Sequence, residues 1–228
     1  GIYVFQKSVE DNIIPSAHHI IPLSGGLDSR AILGALLKAG FKNKITTITF
    51  GTPGTWDFEI GCHIAKKMGL HHEVLDLTRV LITQKDLLQT AIDSSSRLHV
   101  FNPFYDGLIR KKFGKDAVYW SGYMGGGLTG SRLPNRESQS WQEAIQRFCE
   151  ENRIVRSIDL APPDFEPKNT LPKQPWLPPD VLTFDEQLHF KIRQQMCISH
   201  IVLTPGYRNI SPFLHPEWVN FILRVPNE

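Results

Sequence analysis

Ser24-Gly25-Gly26-Leu27-Asp28-Ser29 constrains this chain more than any other stretch. It follows an apolar run, Ile20-Ile21-Pro22-Leu23, and opens a helical one from Arg30 to Leu37. A strand that turns through two glycines into a helix presents bare backbone N–H groups at a helix N-terminus, where the helix dipole is positive. Such a turn is an anion site. Gly25 and Gly26 permit backbone angles that a Cβ would forbid, and they let an anion approach the chain closely. Ser24 and Ser29 add hydroxyl donors. Asp28 adds a carboxylate, which a phosphate tolerates only with a hard cation such as Mg²⁺ between them. Arg30 reads equally well as a solvated first-turn residue and as a nucleotide contact.

The pattern differs from G-x-x-x-x-G-K-[ST], because no Lys follows the glycines, and from G-x-G-x-x-G. The chain has 228 residues, 41% of them hydrophobic and 21% charged, enough for a full core in one domain or two. A net charge of +2 argues against an extended nucleic-acid surface, so nucleic acid is not an expected partner. No apolar run approaches the roughly 18 residues needed to cross a bilayer. Cys62, Cys149 and Cys197 are scattered and odd in number, which reads as reduced, mostly buried thiols of a cytoplasmic protein. The start at Gly1 and the end at Glu228 suggest a piece of a longer polypeptide, truncated C-terminally. His18-His19, His71-His72 and Cys62-His63 lack zinc-ligand spacing and read as packed or solvated side chains.

Strand and helix signals alternate through the first 120 residues. Ile45–Phe50, Glu73–Leu75 and Ala117–Trp120 read as strands, and Asp57–Met68, Thr83–Asp93 and Asp106–Phe113 as helices. Ile60, Ile64 and Met68 are the expected buried stripe of the first of these helices, and Gly69 its stop. The helix after Ser29 is apolar nearly all round, which predicts burial on two sides. This order implies an α/β fold, a doubly wound parallel sheet with ligands at the carboxyl ends of its strands. Beyond residue 130 strand signals fade. Ser140 and Thr183 open capping-box helices, and Phe184, Leu188, Ile192 and Met196 keep a buried four-residue spacing. The division expected is an α/β domain over 1–135 and a helical part over 136–228. A proline-rich, helix-free crossing is expected at 161–180.

The hexapeptide resembles the S-G-G-x-D-S PP-loop of the N-type ATP pyrophosphatases, with an adenine nucleotide α-hydrolase-like fold. Thr49-Phe50-Gly51, Asp57 and Ala65–His72 are similar to the second βα unit of asparagine synthetases. Ser121-Gly122 stands where that family has S-G-E-G-x-D-E, and Ser211-Pro212-Phe213-Leu214-His215 resembles its late P-F-L-D segment. The resemblance implies ATP and Mg²⁺ as cofactors, with Ser24, Gly25, Gly26, Asp28 and Ser29 holding pyrophosphate and Asp28 its metal. It places the backbones of Leu23, Thr49 and Phe50 against adenosine, and Ser121 and Gly122 beside the ribose or α-phosphate. The implied catalytic set is Asp28, Ser121 and Tyr123. The implied activity is a ligase that adenylates a small carboxylate, releases pyrophosphate and passes the acyl group to an amine or ammonia. A glutaminase domain or subunit outside this chain is the implied nitrogen-supplying partner of an amidotransferase.

The departures are as informative. Tyr123 replaces the family's Glu, Gly126-Gly127 replaces an acidic pair, and Arg208, Ile210 and His215 alter the late segment. The family's pyrophosphate-gripping lysine would fall beyond Glu228. Tyr105, Trp120 and Tyr123 could stack on a base or serve as core, and Arg132 and Arg136 could reach a phosphate or stay solvated. Two alternatives stay open: a non-catalytic nucleotide-binding homologue, and another PP-loop enzyme that modifies tRNA or transfers sulfur.

Overall fold

The computed structural model describes residues 1–94, 101–131, 133–153, 162 and 164–225. The chain divides into two compact units, one of residues 1–129 with 199–228 and the other of residues 130–198. The first holds five strands: β1 (His19–Pro22), β2 (Ile45–Gly51), β3 (His71–Asp76), β4 (Val118–Trp120) and β5 (Arg208–Ile210). They lie in the order β3-β2-β1-β4-β5, and every pairing is parallel. Its helices are α1 (Ile2–Glu10), α2 (Leu27–Lys38), α3 (Trp56–Met68), α4 (Gln84–Ser94), α5 (Phe101–Phe113) and the short α6 (Gly125–Leu128). Among the described residues no helix is long and apolar enough to cross a membrane.

Strand residues alternate faces, and here that alternation builds two cores. Ile21 packs with Val9, Ile32, Leu36, Ala65 and Trp120 on one face. Ile20 packs with Ile48, Ile109, Ala117 and Tyr119 on the other. Each fully buried Val, Leu or Ile among them contributes about 1.5–3 kcal/mol. The sheet is therefore doubly wound, as its sequence pattern predicts. Gly69 ends α3 at φ 58°, a left-handed angle that a Cβ disfavours.

Several local expectations need correction. The buried face of α3 is Phe58, Gly61 and Ala65, while Met68 is exposed, because α3 presses its small residues onto the sheet. Helix α2 buries Ile32, Leu33, Ala35 and Leu36 but leaves Gly34 and Lys38 exposed, so one side of it faces solvent. The cysteines are only half-buried free thiols. Strand β5 has only three residues and no strong β pattern; it exists because β4 offers it an open edge.

The second unit contains α7 (Trp141–Glu151) and α8 (Phe184–Gln187), the latter continuing as a π-helix over Leu188–Ile198. Trp141, Ala144 and Leu188 form its core. Thr183 and Glu186 make a full capping box, whereas Glu143 reaches past Ser140 to the Gln139 N–H. The wider π turn rotates a four-residue spacing out of phase, which is why Met196 is 59% exposed. A 3₁₀ turn, Pro167–Thr170, interrupts the proline-rich crossing. The chain then returns to the first unit through α9 (Ser199–Val202), β5 and α10 (Pro216–Ile222).

His19 joins β1 to β4 from within the first core. The Trp120 indole N–H donates to its Nδ1 at 2.9 Å, so its Nε2 carries the proton and meets the Ile14 carbonyl at 3.2 Å. Burial holds the His19 pKa below the ordinary histidine value. The unfolded chain then binds more protons than the native one, and stability must fall as pH drops below about 6.5. Urea unfolding of the wild type should show a lower midpoint at about pH 5 than at about pH 7.5. His19→Phe, which orphans the Trp120 N–H, should cost about 1–3 kcal/mol at neutral pH.

Candidate functional site

The reversal of strand order falls between β1 and β4, and the loops that leave these two strands form the candidate site. Ligands of open parallel sheets bind at such a switch point. Leu23 leaves β1 with its N–H on the Ile48 carbonyl (2.8 Å) and its carbonyl on the Thr49 hydroxyl (2.7 Å). The loop then folds on itself. The Ser24 N–H reaches the Ser29 hydroxyl at 3.3 Å, and the Gly26 N–H reaches the Ser24 hydroxyl at 3.1 Å. Gly25 donates its N–H to the Asp57 carbonyl at 3.2 Å. The glycine amides are thus engaged within the protein, contrary to the expectation of bare ones. The amides of Leu27, Asp28 and Ser29, the first three of α2, are the ones that helix geometry leaves without an intrahelical partner.

Asp28 is the second residue of α2, and its carboxylate meets the loop that follows β4. A Cβ on Gly125 would lie 2.5–2.6 Å from that carboxylate, and one on Gly122 would lie 2.8 Å from the Asp28 Cβ. The Gly126 N–H donates to the carboxylate. Burial nevertheless raises the Asp28 pKa, outweighing the Gly126 hydrogen bond. The β4 loop is itself pinned. Ser121 donates its N–H to the Ile210 carbonyl (2.8 Å), its hydroxyl accepts from the Tyr123 N–H (3.2 Å), and the Tyr123 carbonyl accepts from the Ser211 hydroxyl (2.5 Å). Met124 follows at φ 70° with its side chain against the first core. Burial pushes the Tyr123 phenol up.

The structure brings the loop of Ser24, Gly25, Gly26, Asp28 and Ser29 against the loop of Ser121, Gly122 and Tyr123 at the switch point, through the approach of Asp28 to Gly122 and Gly125, with Leu23, Thr49 and Phe50 at the adjoining strand ends. Phe50 is 39% exposed there. Not all candidates converge. Arg208 starts β5, at the end of that strand away from the crevice, and His215 pairs with Asp11 at 3.3 Å. Arg136 belongs to the second unit, and Arg132 lies outside the described residues. Sequence places Asp57 in the resembling second βα unit but gives it no role in the loop, which it supports through its backbone carbonyl. Gly61 escaped the sequence reading: it lets α3 approach so closely that a Cβ would sit 2.5 Å from the Thr49 hydroxyl and 2.6 Å from the Leu23 carbonyl. A small residue in mid-helix was the available signal.

The site suits Mg²⁺ in one particular way. Among the described residues no three His, Cys, Asp or Glu side chains converge. Asp28 offers a half-buried oxygen donor beside an anion loop, in the space that Gly122 and Gly125 leave open. One carboxylate completed by ligand phosphates and water is how Mg²⁺ is commonly held.

Residues 3–106 match the asparagine synthase family. The match runs from α1 into the first half of α5, and so includes the loop and Asp57 but not the Ser121 or Ser211 segments. The chain is also similar to a 7-cyano-7-deazaguanine synthase from Marinomonas sp. (strain MWYL1), 26% identical over 61 residues. Those residues are 27% of this chain, and the chain spans 28% of the length of that curated relative. The five-stranded all-parallel sheet and the family match are consistent with a PP-loop ATPase fold. Gly125→Ala should force the Asp28 carboxylate to move, costing about 1–3 kcal/mol of stability by thermal or urea unfolding, whereas Gly34→Ala, with open space around it, should be neutral or stabilising.

Proposed function

We propose that this chain is the ATP-binding part of an asparagine synthetase-like ligase that cleaves ATP between the α and β phosphates. The observation that carries the reading is the Ser24–Ser29 loop, set between a parallel strand and a helix at the switch point, inside the segment of family match. A substrate carboxylate oxygen attacks the α-phosphorus, the bond to the bridging oxygen breaks, and pyrophosphate leaves. An amine or ammonia then attacks the acyl carbon and AMP departs. The amides of residues 27–29 and the Ser24 and Ser29 hydroxyls take pyrophosphate, and oriented donors of this kind contribute about 3 kcal/mol each to the transition state. Asp28 is the residue that would hold Mg²⁺, and the ion would supply charge neutralisation for the leaving group. The exposed strand-end residues, with the backbones of Leu23, Thr49 and Phe50, receive adenosine, and Ser121 and Gly122 lie beside the α-phosphate. A cytoplasmic setting and an external glutaminase partner complete the proposal.

A second reading, nucleotide binding without amide synthesis, draws support from two observations. Burial keeps the Tyr123 phenol protonated, so no base stands where the family has Glu. A backbone N–H of Gly126, not a second carboxylate, faces Asp28.

Titration calorimetry with ATP should show Mg²⁺-dependent affinity in the wild type that Asp28→Ala loses. Equal metal-dependent affinity in both proteins would sink the site assignment. Incubated with aspartate, ammonia and Mg²⁺-ATP, the wild type should form asparagine at a rate about 10²–10⁴-fold below that of an enzyme with a carboxylate base, and Tyr123→Glu should raise it. Robust wild-type synthesis would show that Tyr123 is not the base position. In any turnover the nucleotide product should be AMP, and ADP as the main product would contradict the cleavage point.

A further inference from the structure

The second unit has a cavity of its own, with a volume of about 300 Å³ and every lining residue inside 130–198. Small-molecule sites begin at about this size. Leu133, Pro134 and Phe148 make its apolar wall. Its polar wall comes from the end of α7 and from the π-helix over Leu188–Ile198, an element that is rare and concentrates at functional sites. There His189 and Gln194, five residues apart, meet at 3.2 Å. The Gln194 amide can only donate, so the His189 Nε2 accepts and the buried ring carries no charge. The buried Asp185 carboxylate is also neutralised, by the Ser138 N–H at 2.7 Å, the Ser138 hydroxyl at 2.8 Å and the Arg147 Nη1 at 3.5 Å.

Two charges on the same cavity have no such compensation. Arg193 is half-buried, and its Nη1 donates to the Asn152 Oδ1. Asn152 is fixed in turn, because its own amide donates to the Phe148 carbonyl at 2.8 Å. Glu151, the neighbour of Asn152, lines the cavity as well. Among the described residues Arg193 has no carboxylate, and Glu151 no cation, within ion-pair distance. A cation and an anion are therefore held beside one cavity, bridged by Asn152, without pairing. The last turn of α7 adds the negative end of its dipole on the Glu151 side. A half-buried guanidinium without a counter-ion is costly, and a ligand with a single charge would relieve one group and leave the other unmatched. A zwitterion matches both.

We infer that this cavity binds a free amino acid with an apolar side chain. Its carboxylate takes the guanidinium fork of Arg193, whose geometry suits two parallel bonds. Its ammonium group takes Glu151 and the carbonyl end of α7, and its side chain lies against Leu133, Pro134 and Phe148. The inference is independent of the reading of the Ser24–Ser29 loop.

Protein NMR shifts of the full chain, titrated with four probes, test it: L-leucine, L-leucinamide, which lacks the carboxylate, isocaproate, which lacks the amine, and L-aspartate. L-leucine should bind with a Kd of about 1 mM or below, at least about tenfold tighter than the other three. Arg193→Gln should weaken L-leucine about 10–100-fold while L-leucinamide changes by less than about twofold. Glu151→Gln should weaken L-leucine about 3–10-fold and leave isocaproate unchanged. Thermal unfolding separates a lost contact from a lost fold, and the exposed Glu151 carries the test if Arg193→Gln does not fold. Wild-type protein that binds none of the probes would overturn the site. So would L-leucine binding that both variants keep in full, or equal losses of L-leucine and L-leucinamide in Arg193→Gln, since Arg193 would then serve the cavity's shape and not a carboxylate. L-aspartate binding as tight as L-leucine would overturn the apolar preference.

Discussion

The parallel pairing of β1 with β4 is the constraint on which the site depends. It aligns His19 with Val118 and Ile20 with Tyr119, so the two loops that leave these strands emerge side by side. Neither loop alone makes a ligand site. Asp28 comes from one, the glycine wall around it from the other, and the distances between them are set by backbone hydrogen bonds several residues away. The His19–Trp120 bond locks the same pair of strands from below, within a core that also holds α2 in place. Packing, register and chemistry are here one problem.

The loop after β4 is supported in turn by β5 and the residue beyond it. Ser121 leans on the Ile210 carbonyl and Tyr123 on the Ser211 hydroxyl. A segment nearly ninety residues downstream therefore finishes a wall that the first half of the chain begins. Removing the edge strand would leave the Ser121–Gly125 turn without the partners that hold its peptide planes, even though no residue of β5 points chemistry at the crevice.

Much of this was legible in the residues. The Ser24–Ser29 motif, four of the five strands, the turn at Gly69 and the two-sided sheet follow from period-2 and period-3.6 patterns and from glycine placement. What escaped has a common cause. Arg208–Ile210 is a strand only because an open edge of β4 awaits it, and Asp57 matters through its carbonyl, which side-chain identity does not encode. The engagement of the Gly25 and Gly26 amides depends on how the loop folds over Ser24 and Asp57. The Met196 prediction failed because a π-helix changes the repeat on which the reading relied. Roles that live in the backbone leave a faint mark on a sequence.

Met124 has a consequence of a different kind. A residue with a side chain sits at φ 70°, where glycine would be at ease, and the reason lies at the other end of that side chain, which is packed into the core. Strain of roughly 1 kcal/mol in the backbone is traded for burial of a flexible apolar group. The turn that bears Tyr123 is thereby bolted down. To swing open, it would have to pull that partly buried side chain away from the core. The cost of withdrawing that side chain therefore works against a hinge at this turn, because opening it would expose an apolar group the core now covers.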